Sequence, residues 1–141
     1  AIGALTRLSN MGVQPYLLSN SIVGLVAQRL VRLLCTDCRE EHVADEYECR
    51  FLRADQAAAP VIYRATGCDS CAGEGYRGRL GIYEVITVDD ELRRLIHSGA
   101  SDLDMEQHAR KCGPGIREDG RAKVLAGLTT IDEVLRVTMD D

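Results

Sequence analysis

The chain has 141 residues, of which 45% are hydrophobic, and its formal net charge is −5. This length allows one domain, or slightly more, with a modest hydrophobic core. The acidic balance argues against a nucleic-acid partner, since phosphate binding requires a basic surface. No basic segment followed by an apolar run marks a signal peptide. The first residue is alanine and the first residues already look helical, so we interpret the sequence as a piece of a longer protein.

Two helices are predicted in the first 34 residues. An amphipathic helix over residues 1–11 stops at Gly12, a residue typical of helix ends. Pro15 suits a first helical position, and the apolar residues that follow as far as Leu34 predict a long core helix. Gln28, Arg29 and Arg32 would occupy its last turns. The polar residues that interrupt this segment exclude a membrane span, which needs about 20 apolar residues.

The remainder of the chain predicts short strands followed by a run of helices. Strand-forming residues occur at 61–64 and 81–88. Thr130 and Glu133 have the spacing of a capping box, which marks the start of the last helix. The predicted helices cover residues 45–53, 90–97, 101–111, 116–126 and 130–138.

Two Cys-x-x-Cys motifs carry the clearest chemical signal in the sequence. They comprise Cys35 with Cys38 and Cys68 with Cys71, separated by 29 residues. Zinc prefers four soft donors at tetrahedral corners, and two such turns supply four thiolates to one ion. A closed four-cysteine shell leaves no position for water or substrate. The motif therefore predicts a structural zinc site, and no catalytic role for the metal.

Other interpretations of the cysteines stay open at this point. A pair of structural disulfides, a redox-active pair or unrelated thiols would also place cysteines at this spacing. His42 is an alternative ligand, because it follows Cys38 after three intervening residues, a spacing that zinc sites use. Cys49 and Cys112 have no partner motif, and we expect them to be core residues.

No catalytic residues are predicted. The sequence has no phosphate-binding loop, no nucleophile elbow and no metalloprotease motif. His97 and His108 fall on predicted helices without an evident cysteine or carboxylate partner, so we expect both to be ordinary histidines.

Three segments resemble the type II secretion system ATPases, the GspE family, and more loosely the related type IV pilus assembly ATPases. They are "GALTRLSNMGVQPYLLSNSIVGLVAQRLVRLLCTDC", "YRATGCDSCAGEGYRGRLGIYEV" and "GIREDGRAKVLAGLTTIDEVLRVT". Together they cover nearly the whole chain, in the family's order, and correspond to the C-terminal third of its members.

The resemblance implies an α/β fold with three parts. Residues 1–34 would be the end of a RecA-like P-loop ATPase core, and residues 35–80 a tetracysteine zinc-binding subdomain. Residues 81–141 would be a small, mostly helical C-terminal subdomain. The four zinc ligands would be Cys35, Cys38, Cys68 and Cys71. Gln28 and Arg29 match a Gln-Arg pair of the family and would lie near a nucleotide or subunit interface.

The resemblance also implies the working context. The parent protein would be a homo-hexameric ATPase that uses ATP and Mg²⁺ to drive pseudopilus assembly for type II protein secretion. It would be cytoplasmic and associated with inner-membrane platform proteins, with no transmembrane segment of its own. Without a Walker A loop, this fragment alone should hydrolyse no ATP. The alternatives are a stand-alone zinc-knuckle module like that of J-domain chaperones and a nucleic-acid-binding zinc ribbon.

Overall fold

The computed structural model describes residues 1–139 and has a mixed α/β fold. In this part of the chain, seven α-helices and four β-strands alternate with short connections, including 3₁₀ turns at Gln56–Ala58 and Asp69–Cys71. In chain order the elements are α1 (Gly3–Asn10), α2 (Pro15–Ser21), β1 (Gly24–Leu34), β2 (Glu40–Val43), α3 (Glu46–Leu52), β3 (Val61–Arg64), β4 (Tyr76–Thr87), α4 (Asp90–Ser98), α5 (Asp102–Cys112), α6 (Ile116–Leu125) and α7 (Ile131–Thr138).

The chain divides into two compact units, each assembled from two separate segments. The first unit comprises residues 1–27 and 83–115, and the second comprises residues 28–82 and 116–141. The boundaries fall within β1 and β4, so each of these strands contributes residues to both units.

The first unit is a helical cluster around an apolar core. Side chains from α1, α2, α4 and α5 are buried together with the end of β4. The two later helices begin at side-chain caps: Asp89 accepts a hydrogen bond from the Leu92 N–H at 2.8 Å, and Ser101 caps α5. The buried core consists of Ile2, Leu5, Leu18, Ile86, Val88, Leu92, Ile96, Met105 and Ala109.

The second unit combines a two-stranded sheet with three helices. Strands β2 and β3 pair antiparallel, with Glu40 opposite Arg64 and Val43 opposite Val61. Helix α3 starts at a complete capping box in which the Asp45 and Glu48 side chains each accept the other residue's backbone N–H. Helices α6 and α7 follow at the end of the chain. The buried apolar residues of this unit include Val31, Leu34, Ile62, Val124 and Val134.

The predicted long helix from Pro15 to Leu34 is wrong. Only α2, the first seven residues, is helical, and the chain becomes extended at Ile22 and then forms the 11-residue strand β1. This strand pairs with β4, and hydrogen bonds Val88 N–H to Val23 C=O (3.1 Å) and Cys35 N–H to Gly75 C=O (3.0 Å) show an antiparallel arrangement.

The physical reason is that an apolar run without clear periodicity suits a sheet strand as well as a buried helix. Strand β4, whose pairing with this segment favours a strand over a helix, lies about 50 residues further along the chain. Gln28, Arg29 and Arg32 consequently lie on a strand, and their predicted position in the last turns of a helix is wrong.

The remaining predicted elements are confirmed within one or two residues, except that β4 begins earlier, at Tyr76. Helix α4 ends at Gly99, whose φ of 66° is the left-handed conformation expected of a helix C-cap. Among the described residues, no helix combines the length and the apolar character that crossing a membrane would require.

Candidate metal centre

Two turns bring the four predicted cysteines together. Cys35 directly follows β1 and Cys38 precedes β2. Cys68 is the N-cap of the 3₁₀ turn Asp69–Cys71, and Cys71 is the last residue of that turn. The two turns are joined by the backbone hydrogen bond from Cys35 N–H to Gly75 C=O, 3.0 Å long. All four residues belong to the second unit. We call them the four-sulfur cluster.

The sulfur positions fit a tetrahedral metal site. The distances between Sγ atoms are 3.9 Å for Cys35 and Cys68, 3.8 Å for Cys38 and Cys71, and 3.8 Å for Cys68 and Cys71. All four Sγ atoms lie within 4.8 Å of one another. A regular tetrahedron with metal–sulfur bonds of about 2.3 Å has edges of about 3.8 Å. The four-sulfur cluster can therefore hold one metal ion with a closed shell of thiolates.

Backbone amides support the second turn. The N–H groups of Cys68 and Gly75 point at Cys71 Sγ from 3.2 and 3.1 Å. The hydrogen bond from Cys68 is the largest influence on the pKa of Cys71, and together with Gly75 it lowers this pKa to about 6 against the effect of burial. Gly75 has a φ of 76°, and a Cβ atom there would come within 2.7 Å of the Ala65 side chain. A residue without a side chain is therefore required at this position.

Cys35 has a different electrostatic environment. The backbone N–H of Asp37 acts to lower the pKa of Cys35, but burial and the adjacent thiols of Cys38 and Cys68 raise it overall, to about 11. Crowded thiols of this kind cannot all ionise without a nearby positive charge. The crowding is consistent with a site whose donors are arranged around a cation.

Distances between side-chain atoms bear on two of the alternatives for the cysteines, the disulfides and His42, whereas the zinc assignment stays a prediction. All six cysteines are free, and Sγ separations of 3.8 Å or more are far longer than the roughly 2.05 Å of a disulfide bond. His42 is not part of the four-sulfur cluster, since its Nε2 lies 2.9 Å from a Glu48 carboxylate oxygen. Cys49 is buried, as predicted, and its thiol points to the Ala44 carbonyl.

Gln28 and Arg29 lie next to each other on β1, and both are exposed. The Arg29 guanidinium donates a 3.3 Å hydrogen bond to the Gln28 carbonyl oxygen. Their predicted role at a nucleotide or subunit interface stays a prediction.

A second cluster contradicts two expectations from the sequence. Cys112 is exposed rather than a core residue, and His108 has both a carboxylate and a cysteine partner. The His108 Nε2 lies 2.8 Å from Asp89 Oδ2, and Cys112 Sγ lies 3.6 Å from the same oxygen. We call these three residues the Asp–His–Cys cluster. In the sequence, the four-residue spacing of His108 and Cys112 was a signal that both lie on one helix face. Only the tertiary structure shows that Asp89 lies beside them.

Sequence reasoning also missed the role of Glu133. Its side chain does not complete the predicted capping box with Thr130, although Thr130 Oγ1 does accept the Glu133 N–H. Instead, the buried carboxylate accepts hydrogen bonds from the Arg32 backbone and guanidinium and from Arg136. Arg32 also lies over the Tyr76 ring, 4.1 Å from its centre.

The structure thus defines a class: a mixed α/β protein with a four-cysteine candidate metal centre. Sequence comparison then identifies the family. The family described as "Type II/IV secretion system protein" matches residues 1–136, so the chain belongs to it.

Named relatives agree with this assignment. The chain is 56% identical to a protein named type II secretion system protein E from Pseudomonas aeruginosa over its whole length. It is 49% identical to the type II secretion system ATPase E of Vibrio cholerae over 99% of its length, and 41% identical to the type IV pilus assembly ATPase PilB of Thermus thermophilus. The chain spans 28% of the length of the first two relatives and 16% of PilB.

Proposed function

We propose that this chain is the C-terminal part of the cytoplasmic ATPase that powers type II protein secretion, and that it contributes a structural metal-binding module. The observation that carries the proposal is the combination of a family match over residues 1–136 with four sulfurs at tetrahedral spacing. Relatives named as secretion ATPases support the first half, and the sulfur geometry supports the second.

The nucleotide-binding role belongs to the parent protein in this proposal. Residues 1–34 are the end of a RecA-like core, residues 35–80 the zinc-binding subdomain and residues 81–141 the C-terminal subdomain.

Large apolar residues are exposed on the two-stranded β1–β4 sheet, including Val26 at 68% and Val85 at 61%. Exposed apolar strand residues are typical of a sheet that further chain covers. Sequence outside this chain would supply that cover, together with the ATP and Mg²⁺ site.

Zinc is the metal that we assign to the four-sulfur cluster. Four thiolates at tetrahedral positions are the donor set of structural zinc sites, and such ions contribute their binding free energy to folding. The segment between residues 35 and 80 is short and polar, so an ion that links its two cysteine turns would stabilise its folded state. Cys35, Cys38, Cys68 and Cys71 would all act as ligands, leaving no position for a substrate.

In the assembled motor we propose a mechanical role for this module. The parent is a homo-hexamer docked on inner-membrane platform proteins, and ATP hydrolysis moves one subunit against the next. The zinc-binding module is a rigid element that transmits this motion or braces the neighbouring subunit. Gln28 and Arg29 lie near a nucleotide or subunit interface in this arrangement.

The test is complementation in a bacterium that lacks its copy of the parent gene. We expect the intact gene to restore release of folded exported proteins into the medium, and Cys68→Ser to abolish it. Cys49→Ala is the matched control, because Cys49 is buried in the same unit outside the four-sulfur cluster, and we expect it to secrete normally.

Two outcomes would contradict different parts of the proposal. Normal secretion without the gene would rule out the secretion function. Normal secretion by Cys68→Ser, at an unchanged protein level, would rule out the structural role of the metal.

A further inference from the structure

The Asp–His–Cys cluster places three side chains of metal-ligating chemistry in the first unit, which does not contain the four-sulfur cluster. Asp89, His108 and Cys112 all belong to the segment 83–115. Their ligating atoms lie within 4.8 Å of one another. A carboxylate oxygen, an imidazole nitrogen and a thiol sulfur form a mixed donor set that suits zinc and similar transition ions.

The distances between these atoms are close to those of a coordinated ion. Cys112 Sγ lies 3.6 Å from Asp89 Oδ2 and 3.7 Å from His108 Nε2. With zinc–sulfur bonds of about 2.3 Å and zinc–nitrogen or zinc–oxygen bonds of about 2.0–2.1 Å, tetrahedral edges that include sulfur are about 3.5 Å. The third edge, His108 Nε2 to Asp89 Oδ2, is 2.8 Å and would widen to about 3.3 Å around an ion.

The backbone holds the three residues in this arrangement. Asp89 is the N-cap of α4, and its Oδ1 atom accepts the Leu92 N–H while its Oδ2 atom lies 3.6 Å from Cys112 Sγ. His108 and Cys112 are four residues apart on α5, so they share one face of the helix. Both helices are fixed by buried core residues, among them Leu92 and Ala109.

We propose that Asp89, His108 and Cys112 bind a divalent transition ion of the zinc type at a second, three-ligand site. A carboxylate and a thiolate would balance the two positive charges of the ion. Three protein ligands leave a fourth position open, and it faces solvent because Asp89 and Cys112 are exposed. This site differs from the closed four-sulfur cluster, and it does not depend on the proposed secretion function.

Cobalt binding tests the proposal directly. The 141-residue chain is first loaded with one equivalent of Zn²⁺ to fill the four-sulfur cluster, and Co²⁺ is then added. We expect one further equivalent to bind, with a sulfur-to-cobalt charge-transfer band in the near ultraviolet. His108→Ala and Cys112→Ser should each weaken this binding at least tenfold.

Two more variants separate metal binding from structural effects. Asp89→Asn preserves a residue able to cap α4 but removes the carboxylate, so it should weaken Co²⁺ binding with little change in folding. His97→Ala is the matched control: His97 lies on α4 of the same unit, and its Nδ1 atom is 3.5 Å from Ser19 Oγ. Cobalt binding should be unchanged in this variant.

Alkylation of Cys112 tests the site in the unaltered chain, so this result does not depend on whether a variant folds. Cys112 is the exposed member of the six cysteines, so its alkylation by iodoacetamide can be followed by peptide mass spectrometry. We expect a second equivalent of Zn²⁺ to slow this alkylation at least tenfold. An unchanged alkylation rate, or a cobalt spectrum that persists in Cys112→Ser, would show that the cluster is only a hydrogen-bonded carboxylate and imidazole beside a thiol.

Discussion

At the scale of single residues, Glu133 is the clearest case of a side chain whose role depends on distant partners. It is 2% exposed, and its two oxygens accept hydrogen bonds from Arg32 Nη2 and Arg136 Nη2, each at 2.8 Å. Burial acts to raise the pKa of Glu133, but the hydrogen bonds from Arg136 and Arg32 outweigh it and lower the pKa to about 2. The carboxylate is thus buried as an ion and fully paired.

This pairing predicts a specific acid sensitivity. Because the pKa of Glu133 is depressed on folding, its stabilisation is complete above an ordinary pKa of 4.5 and is lost as the pH falls towards 2. Glu133→Gln should lower the free energy of unfolding by about 3 kcal/mol at pH 7, because it leaves two arginines without their buried partner. The difference from the unaltered chain should shrink by about 2 kcal/mol at pH 3.

Denaturant unfolding of the unaltered chain and of Glu133→Gln at each pH measures this difference. Acid effects that both chains share, such as protonation of the cysteine ligands, cancel when the two free energies of unfolding are subtracted. The control is Glu46→Gln, which removes an exposed pair with Arg50 and should cost at most about 0.5 kcal/mol. A constant difference between pH 7 and pH 3 would show that folding does not lower the pKa of Glu133.

At the scale of elements, the packing of α6 against α7 depends on a glycine. A Cβ atom at Gly120 would lie 2.5 Å from Val134 Cγ1 and 3.1 Å from Cγ2. Val134 is completely buried, so it has little room to move. The two helices therefore approach each other at a distance that no larger residue permits.

Gly120→Ala should consequently destabilise the second unit, despite the higher helix propensity of alanine. Overpacking costs about 1–3 kcal/mol, whereas the propensity gain is at most about 1 kcal/mol, so we expect a net loss of about 1–2 kcal/mol. Gly3→Ala is the control, because Gly3 also lies in a helix but a Cβ atom there meets nothing within 4 Å. Thermal unfolding of the two variants measures the contrast, and equal stabilities would contradict the close approach.

At the scale of the whole molecule, the metal should stabilise the two units unequally. The four-sulfur cluster belongs entirely to the second unit, whereas the first unit has a contiguous apolar core of its own. Because binding free energy at a closed site is also folding free energy, removal of the ion should loosen the second unit first.

Hydrogen exchange before and after chelation measures this effect. We expect elemental analysis to find zinc bound to the chain, with the four thiols of the four-sulfur cluster protected, and a strong chelator to remove it. Amide protection should then fall at least tenfold in residues 28–82, with smaller changes in residues 1–27 and 83–115. Cys49→Ala should retain the ion and its protection. Equal loss of protection in both units would contradict the assignment of the ion to the second unit.

Local signals in the sequence predicted a large part of the fold. The caps at Ser101 and Thr130 and the stop at Gly99 act over three or four residues, and the helices that they bound were predicted within one or two residues. The four cysteines were predictable for a similar reason, since each pair lies within one turn and two pairs match the donor count of one ion.

What the sequence by itself determined is therefore local: the caps, the two Cys-x-x-Cys turns and the family to which the chain belongs. The tertiary structure decided the rest. It made residues 24–34 a strand, because β4 supplies the hydrogen-bond partner. It also paired Glu133 with Arg32, 101 residues away, and brought Asp89 to His108 and Cys112. Such contacts depend on which distant segments pack together, and short-range patterns of residues carry no information about that.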